Sequence, residues 1–197
     1  MSLYDKASLI MTPSGVKSAK IYSKKPFNAN GDFTFDRSTV ATRVNKDGLI
    51  ETVAIDTPRL NYPLIDGVVQ DCPSLLLEPA RTNLILNSEP TATEPFFYQS
   101  VSFSAGSYTA SIYVKGIGSS IGKELRIVLG ANSSAKFTIS SEWTRFEYTA
   151  TMTSGSANSG LEIPDPAVIG DDVLVWGWQT EAGSYATSYI PTSGSTV

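Results

Sequence analysis

Trp176 and Trp178 stand two residues apart in Val173 to Thr180, the strongest strand pattern in the chain. A strand alternates its side chains, so this spacing predicts one shared face. Tyr113 lies on a second alternating strand, Tyr108 to Lys115. Sugar-binding β-sandwiches stack pyranose rings on such aromatic faces. These three residues are therefore the candidate ligand-binding residues. The competing reading is plain packing, with one or both tryptophans in a core or between subunits. Trp143 opens another strand and reads first as a packing residue. Phe96, Phe97 and Tyr98 form either a loop platform or a packing plug.

Other chemistry has weaker support. Two carboxylates suffice for glycoside hydrolysis, and Asp165, Asp171 and Asp172 lie near strand ends beside Pro166 and Gly170. They read as solvated turn residues. Their oxygens suit calcium, but no loop pattern of that kind is present, so no metal site is expected. Histidine is absent, which removes the commonest general base, His-dependent triads and most zinc sites. The single cysteine, Cys72, excludes an intrachain disulfide. Its neighbours Pro73 and Leu75 suggest that it is buried. Gly116, Gly118 and Gly122 lack the following Lys-Ser or Lys-Thr and the helix of a phosphate loop. No catalytic residue and no cofactor is assigned, and the expectation is a protein without enzymatic activity. Glu78 and Arg81 flank Pro79 next to buried-looking strands. They are read as structural, a buried arginine–carboxylate pair that sets register.

The elements that would position these residues are strands. Phe33 to Val44, Leu49 to Ile55, Leu75 to Leu77, Thr82 to Asn87, Leu125 to Leu129, Lys136 to Ile139 and Trp143 to Thr151 all carry strand patterns. Asp47-Gly48 is a hairpin turn signal. Gly116 to Gly122, Gly130 to Ser134, Ser154 to Gly160 and Pro164 to Pro166 read as separators. No stretch of ten residues keeps a helical apolar period. The fold class expected is all-β, a jelly-roll β-sandwich with an extended N-terminal arm. Residues 1–31, broken by Pro13, Gly15, Pro26 and Gly31, form the arm. Residues 32–197 form the sandwich, with 32–95 supplying outer strands and irregular segments.

Composition agrees. A chain of 197 residues is long enough for a core without metal or disulfide. Charged residues are 17% of the chain, against about 25% in an average domain, which disfavours a helical protein. Residues 1–50 hold eight Lys or Arg and four Asp or Glu; residues 51–197 hold seven and fifteen. The acidic body argues against nucleic acid as a partner, since phosphate neutralisation drives that binding. The basic stretch could dock on an acidic protein surface. No apolar run approaches the length of a membrane span, so membrane insertion is not expected. Met1 to Lys6 shows no signal-peptide pattern, which implies synthesis in the cytoplasm.

Two stretches carry a resemblance: RSTVATRVNKDGLIETVAIDTPRLNYP, residues 37–63, and PSLLLEPARTNLILNSE, residues 73–89. With the ending VLVWGWQTEAGSYATSYIPTSGSTV, residues 173–197, they resemble a module of bacteriophage virion proteins, including those of crAss-like and marine phages. YTASIYVKG and SEWTRFEYTATMT look like a carbohydrate-binding-module jelly roll. The resemblance covers roughly residues 30–197 and carries no catalytic residues. It implies a virion location, made in the host bacterial cytoplasm, as a head-fibre, tail-fibre or capsid decoration protein. It implies other virion proteins of capsid or tail as partners, host-surface glycans as ligands, and a homotrimer. The alternatives are a carbohydrate-binding module proper and, less favoured, a glycoside hydrolase. In the resembling proteins the module sits inside a longer chain; ending at Val197, this one is expected to be a small decorating component.

Overall fold

The structure is a computed structural model. It describes residues 2–17, 19–65, 68–89, 96–134, 136–162 and 173–197, with backbone alone at 13, 14, 96 and 97. Among the described residues the fold is all-β apart from one short helix and one 3-10 turn, and the chain divides into two compact units, Met1–Pro79 and Ala80–Val197. The boundary expected after residue 31 falls inside the first unit. Residues 32–79 group with the N-terminal stretch, and Phe33–Thr34 pairs directly with Lys20–Ile21.

In the first unit the expected arm is folded. Helix α1 (Leu3–Lys6) begins with a capping box, in which Ser2 Oγ accepts from the Asp5 amide and Asp5 accepts from the Ser2 amide. Strands β1 (Ile10–Lys17), β2 (Lys20–Lys25) and β3 (Phe33–Thr34) make an antiparallel sheet. Strands β4 (Ala41–Val44) and β5 (Ile50–Val53) form the expected hairpin. Its turn places Gly48 at φ +79°, and Asn45 Oδ1 accepts from the Asp47 and Leu49 amides.

Four two-residue strands follow: β6 (Leu60–Asn61), β7 (Leu64–Ile65), β8 (Val68–Val69) and β9 (Ser74–Leu75), paired β6 with β9 and β7 with β8. The buried strand expected at Leu75 to Leu77 is reduced to Ser74–Leu75, and Leu77 is 70% exposed. A ladder of two residues has too little sheet to cover three leucines. Cys72, expected buried, is exposed in the bend before Pro73. Among the described residues, Ile21 and Val53 are the only fully buried large apolar side chains of this unit.

The second unit is a sandwich. One sheet orders β10 (Phe96–Phe103), β16 (Gly155–Glu162), β12 (Glu124–Leu129) and β13 (Asn132–Ser133), with β14 (Phe137–Thr138) also on β12. The other orders β15 (Thr144–Met152), β11 (Gly106–Gly116) and β17 (Val173–Ala182). Inward residues from both sheets build one core: Val101, Phe103, Leu125, Ile127, Leu129 and Leu161 from the first, Tyr108, Ala110, Ile112, Val114, Met152 and Trp178 from the second.

The chain passes between sheets from β10 to β11 and from β15 to β16. These two corners lie side by side, because β10 pairs with β16 and β11 with β15. Each corner ends in a glycine with positive φ, Gly106 at +152° and Gly155 at +142°, a region that side chains with a Cβ avoid. Ser154 to Gly160, expected as a separator, instead supplies most of β16. Its glycines, serines and alanine carry no apolar pattern, yet small residues fit a strand flanked on both sides by β10 and β12. Among the described residues, no helix is long and apolar enough to cross a membrane.

Candidate functional site

The outward face of the β15-β11-β17 sheet carries the candidate residues. Along β11, Tyr108, Ala110, Ile112 and Val114 point into the core, so Thr109, Ser111 and Tyr113 point outward. On β17 the register is regular from Ala182 to Gln179, which pairs with Ser111. It then slips by one residue, and Tyr113 faces Trp176. The slip is a bulge at Gly177, whose φ of +65° favours glycine. A Cβ there would also stand 3.0 Å from the Tyr113 ring.

This bulge corrects the sequence expectation for the tryptophans. Trp178 is 4% exposed and belongs to the sandwich core, whereas Trp176 faces outward beside Tyr113. Equal parity no longer means a shared face when one residue is inserted between them. The structure therefore brings Tyr113 and Trp176 together and leaves Trp178 out of the site.

The outward aromatic group has three rings. Trp176 lies 5.5 Å from Tyr113 and 4.4 Å from Tyr189, between ring centroids. Tyr113 and Trp176 are half-buried, while Tyr189, in the chain that follows β17, is buried. Arg145, paired with Tyr113 across β11 and β15, holds its guanidinium 5.5 Å from the Tyr113 ring centroid. Its Nη2 donates to Ser111 Oγ at 2.9 Å. Glu147, the outward neighbour of Arg145 on β15, is exposed. Lys115 and its partner Leu174 continue the face, and Trp143, just before β15, is 47% exposed. The result is an amphipathic platform with donors and acceptors at its margin.

A buried polar network holds one end of this face. Glu181 is fully buried and accepts from Gln179 Nε2 at 2.6 Å, the Thr187 amide at 2.8 Å and Thr187 Oγ1 at 2.8 Å. Arg81 Nε lies 3.9 Å from its Oε2. Arg81 also donates to the Ala182 carbonyl and sits 5.6 Å over the Tyr185 ring. Gly183 has φ +147°, and a Cβ there would come within 2.5 Å of the Arg81 guanidinium, so only glycine leaves room for that arginine. Gln179 Oε1 accepts from the Ile190 amide at 2.7 Å.

Glu78 and Arg81 do not pair with each other. Glu78 binds Arg59 at 2.8 Å within the first unit, and Arg81 faces Glu181 within the second. Each residue has a structural partner, as expected, but from distant sequence. Asn83, which sequence reasoning passed over, is fully buried and uses its whole amide. Its Nδ2 donates to the Trp178 and Ile190 carbonyls at 3.1 and 2.9 Å. Its Oδ1 accepts from the Ile85 and Thr180 amides at 3.1 and 3.0 Å.

Tyr189 packs against Trp176 with its hydroxyl engaged. Its hydroxyl lies 2.6 Å from Ser88 Oγ and donates to Glu89 Oε1 at 3.2 Å. Burial, opposed by the Ser88 hydrogen bond and assisted by the Glu89 charge, pushes its pKa up to about 12. Burial raises Tyr113 as well. The folded state thus holds the Tyr189 proton more tightly than the unfolded chain does. That stability is complete below the ordinary tyrosine value near 10 and is lost as pH rises toward 12. We expect unfolding free energy to fall by on the order of 2 kcal/mol across this window. Denaturant titrations at pH 9 and pH 11.5 check it. A Tyr189→Phe variant with an undiminished alkaline loss would assign the effect to other groups.

The remaining candidates divide. Asp165, Asp171 and Asp172 lie outside the described residues, as do the side chains of Phe96 and Phe97. Tyr98 is 41% exposed on β10. Among the described residues, no group of three or more His, Cys, Asp or Glu is placed to hold a metal ion. Tyr189 and Arg145 are the members of the platform that sequence reasoning missed. The outward alternation of Trp143, Arg145 and Glu147 was visible, but the strand opposite them was not.

Fold and face define this class of protein as an all-β sandwich with a half-buried aromatic group on one outward sheet face. No known protein family, curated protein or solved structure matches the chain.

Proposed function

We propose that the protein is a structural adhesion component of a bacteriophage particle, displaying its sandwich to host-surface glycans. The observation that carries this reading is the Tyr113–Trp176 platform. It places two half-buried aromatic side chains on a sheet surface, with Arg145 and Glu147 beside them for hydroxyl groups. Aromatic surface of this kind suits flat binding of a sugar ring. Adhesion rather than turnover is the matching mechanism, with many weak sites on one particle adding avidity.

Two further observations support the particle assignment. Residues 80–89 and 173–197, which carry much of the resemblance to virion modules, are bound to one another through Asn83, Trp178, Thr180 and Ile190. These two stretches thus belong to one structural unit, while residues 37–63 and 73–79 fall in the other. The first unit, in turn, exposes Leu3 at 88%, Phe27 at 82% and Leu77 at 70%. Surface of that composition suits attachment to other copies and to capsid or tail proteins. We read the sandwich as a jelly roll, since β10, β11, β12, β15, β16 and β17 alternate between its two sheets. The assembly proposed is a homotrimer.

Two measurements test the reading. Light scattering on the purified protein should give the mass of a trimer; a monomer at micromolar concentration overturns the assembly. An array of bacterial surface glycans, probed at a concentration suited to weak sites, should yield hits. An array without hits removes the adhesive role.

A further inference from the structure

We propose that the platform is specific for acidic saccharides, with Arg145 receiving the carboxylate of the sugar. This rests on the saccharide reading of the same face.

The argument begins with the six arginines of the chain. Arg43, Arg59, Arg81 and Arg126 each face a carboxylate: Glu51, Glu78, Glu181 and Glu162. Arg37 is held by the carbonyls of Val53, Ala54 and Thr57. Arg145 differs. Among the described residues it has no ion pair, and its one side-chain hydrogen bond is to the neutral Ser111. Its Nε is buried without a hydrogen-bond partner, a property shared with Arg37 and Arg81, so the missing ion pair, with no carbonyls in its place, is what sets Arg145 apart. A guanidinium carries five donors in a planar fork that matches two oxygens of one anionic group. A guanidinium held by neither a carboxylate nor a set of carbonyls is what asks for an explanation here.

Placement supplies the explanation. The guanidinium lies 5.5 Å from the Tyr113 ring centroid, and the Trp176 ring lies 5.5 Å from the same centroid. A sugar ring stacked on these aromatics would bring an equatorial substituent next to Arg145. Covering the platform also removes water from the guanidinium. A neutral sugar would then leave the cation desolvated and unpaired, whereas an anionic group would compensate it. Lys115, outward on β11 beyond Tyr113, adds a second positive charge. Glu147 is exposed on β15 and makes no ion pair with Arg145, so it is available as an acceptor for hydroxyls.

An array carrying acidic and neutral bacterial polysaccharides tests this, with each acidic polymer spotted beside its carboxyl-reduced form. The full chain, Trp176→Ala, Arg145→Gln and Arg145→Lys are compared, with circular dichroism as the folding control. We expect hits among acidic polymers, weakened about tenfold or more on carboxyl reduction. Arg145→Gln should bind both forms at the weaker level, with Arg145→Lys between. Equal binding of reduced and unreduced polymers by the full chain overturns the acidic specificity and leaves the saccharide reading standing. A preference that survives in folded Arg145→Gln overturns the role of Arg145 in the same way. No binding to any polymer overturns both.

Discussion

Asn83→Ala should unfold the second unit at a temperature lower by about 10 °C or more. The substitution removes four hydrogen bonds from a site with no solvent access. The Ile85 and Thr180 amides and the Trp178 and Ile190 carbonyls each lose a partner that water cannot replace without opening the structure. Each such loss costs about 1–3 kcal/mol, and the small cavity adds to it, so a total on the order of 4 kcal/mol follows. The position matters because Asn83 ties three segments at once: its own stretch before β10, strand β17, and the chain that returns after it. Thr82→Ala, one residue away and exposed, serves as the control and should stay within about 0.5 kcal/mol of the parent. Calorimetry of both variants decides the matter. If Asn83→Ala melts within two or so degrees of Thr82→Ala, the network does not bind these segments together.

The two tryptophans of β17 should respond in opposite ways. Trp178→Ala empties a large part of the sandwich core and should cost about 3–5 kcal/mol. Trp176→Ala removes a half-buried ring that packs on Tyr113 and Tyr189. It should cost about 1–2 kcal/mol and leave a folded protein. Its effect appears in binding, where loss of the platform should abolish the glycan signal. The pair discriminates between two geometries. Residues sharing one face would give similar losses of stability, whereas residues on opposite faces separate stability from binding. Denaturant titration and the glycan array, run on both variants, read the two quantities independently. Similar destabilisation by both changes would contradict the bulge at Gly177.

Much of this architecture was legible in the residues. Period-two alternation marked β11, β15 and β17, and Asp47-Gly48 marked the β4–β5 hairpin. These are local properties, set by a residue and its nearest neighbours. Composition alone disfavoured a helical protein and excluded a histidine-based site and an intrachain disulfide, because residue counts are independent of fold. The strand β16 was hidden for the same reason of locality. Its Gly- and Ser-rich sequence has no apolar pattern, and only its two neighbours make it a strand.

Pairing belongs to the folded chain. Glu78 and Arg81 looked like partners because they are close in sequence, yet Arg59 and Glu181 were the charges that folding delivered to them. Nothing within a few residues of Asn83 announces that its amide will meet Trp178, Thr180 and Ile190. The same holds for the site. Alternation put Trp176 and Trp178 on one face, and one extra residue in the register of β17 against β11 put them on two. Register depends on hydrogen bonds between strands some sixty residues apart, so no local period reports it. The aromatic and strand content was written in the residues. Which tryptophan stabilises the core and which faces a ligand was settled by the bulge.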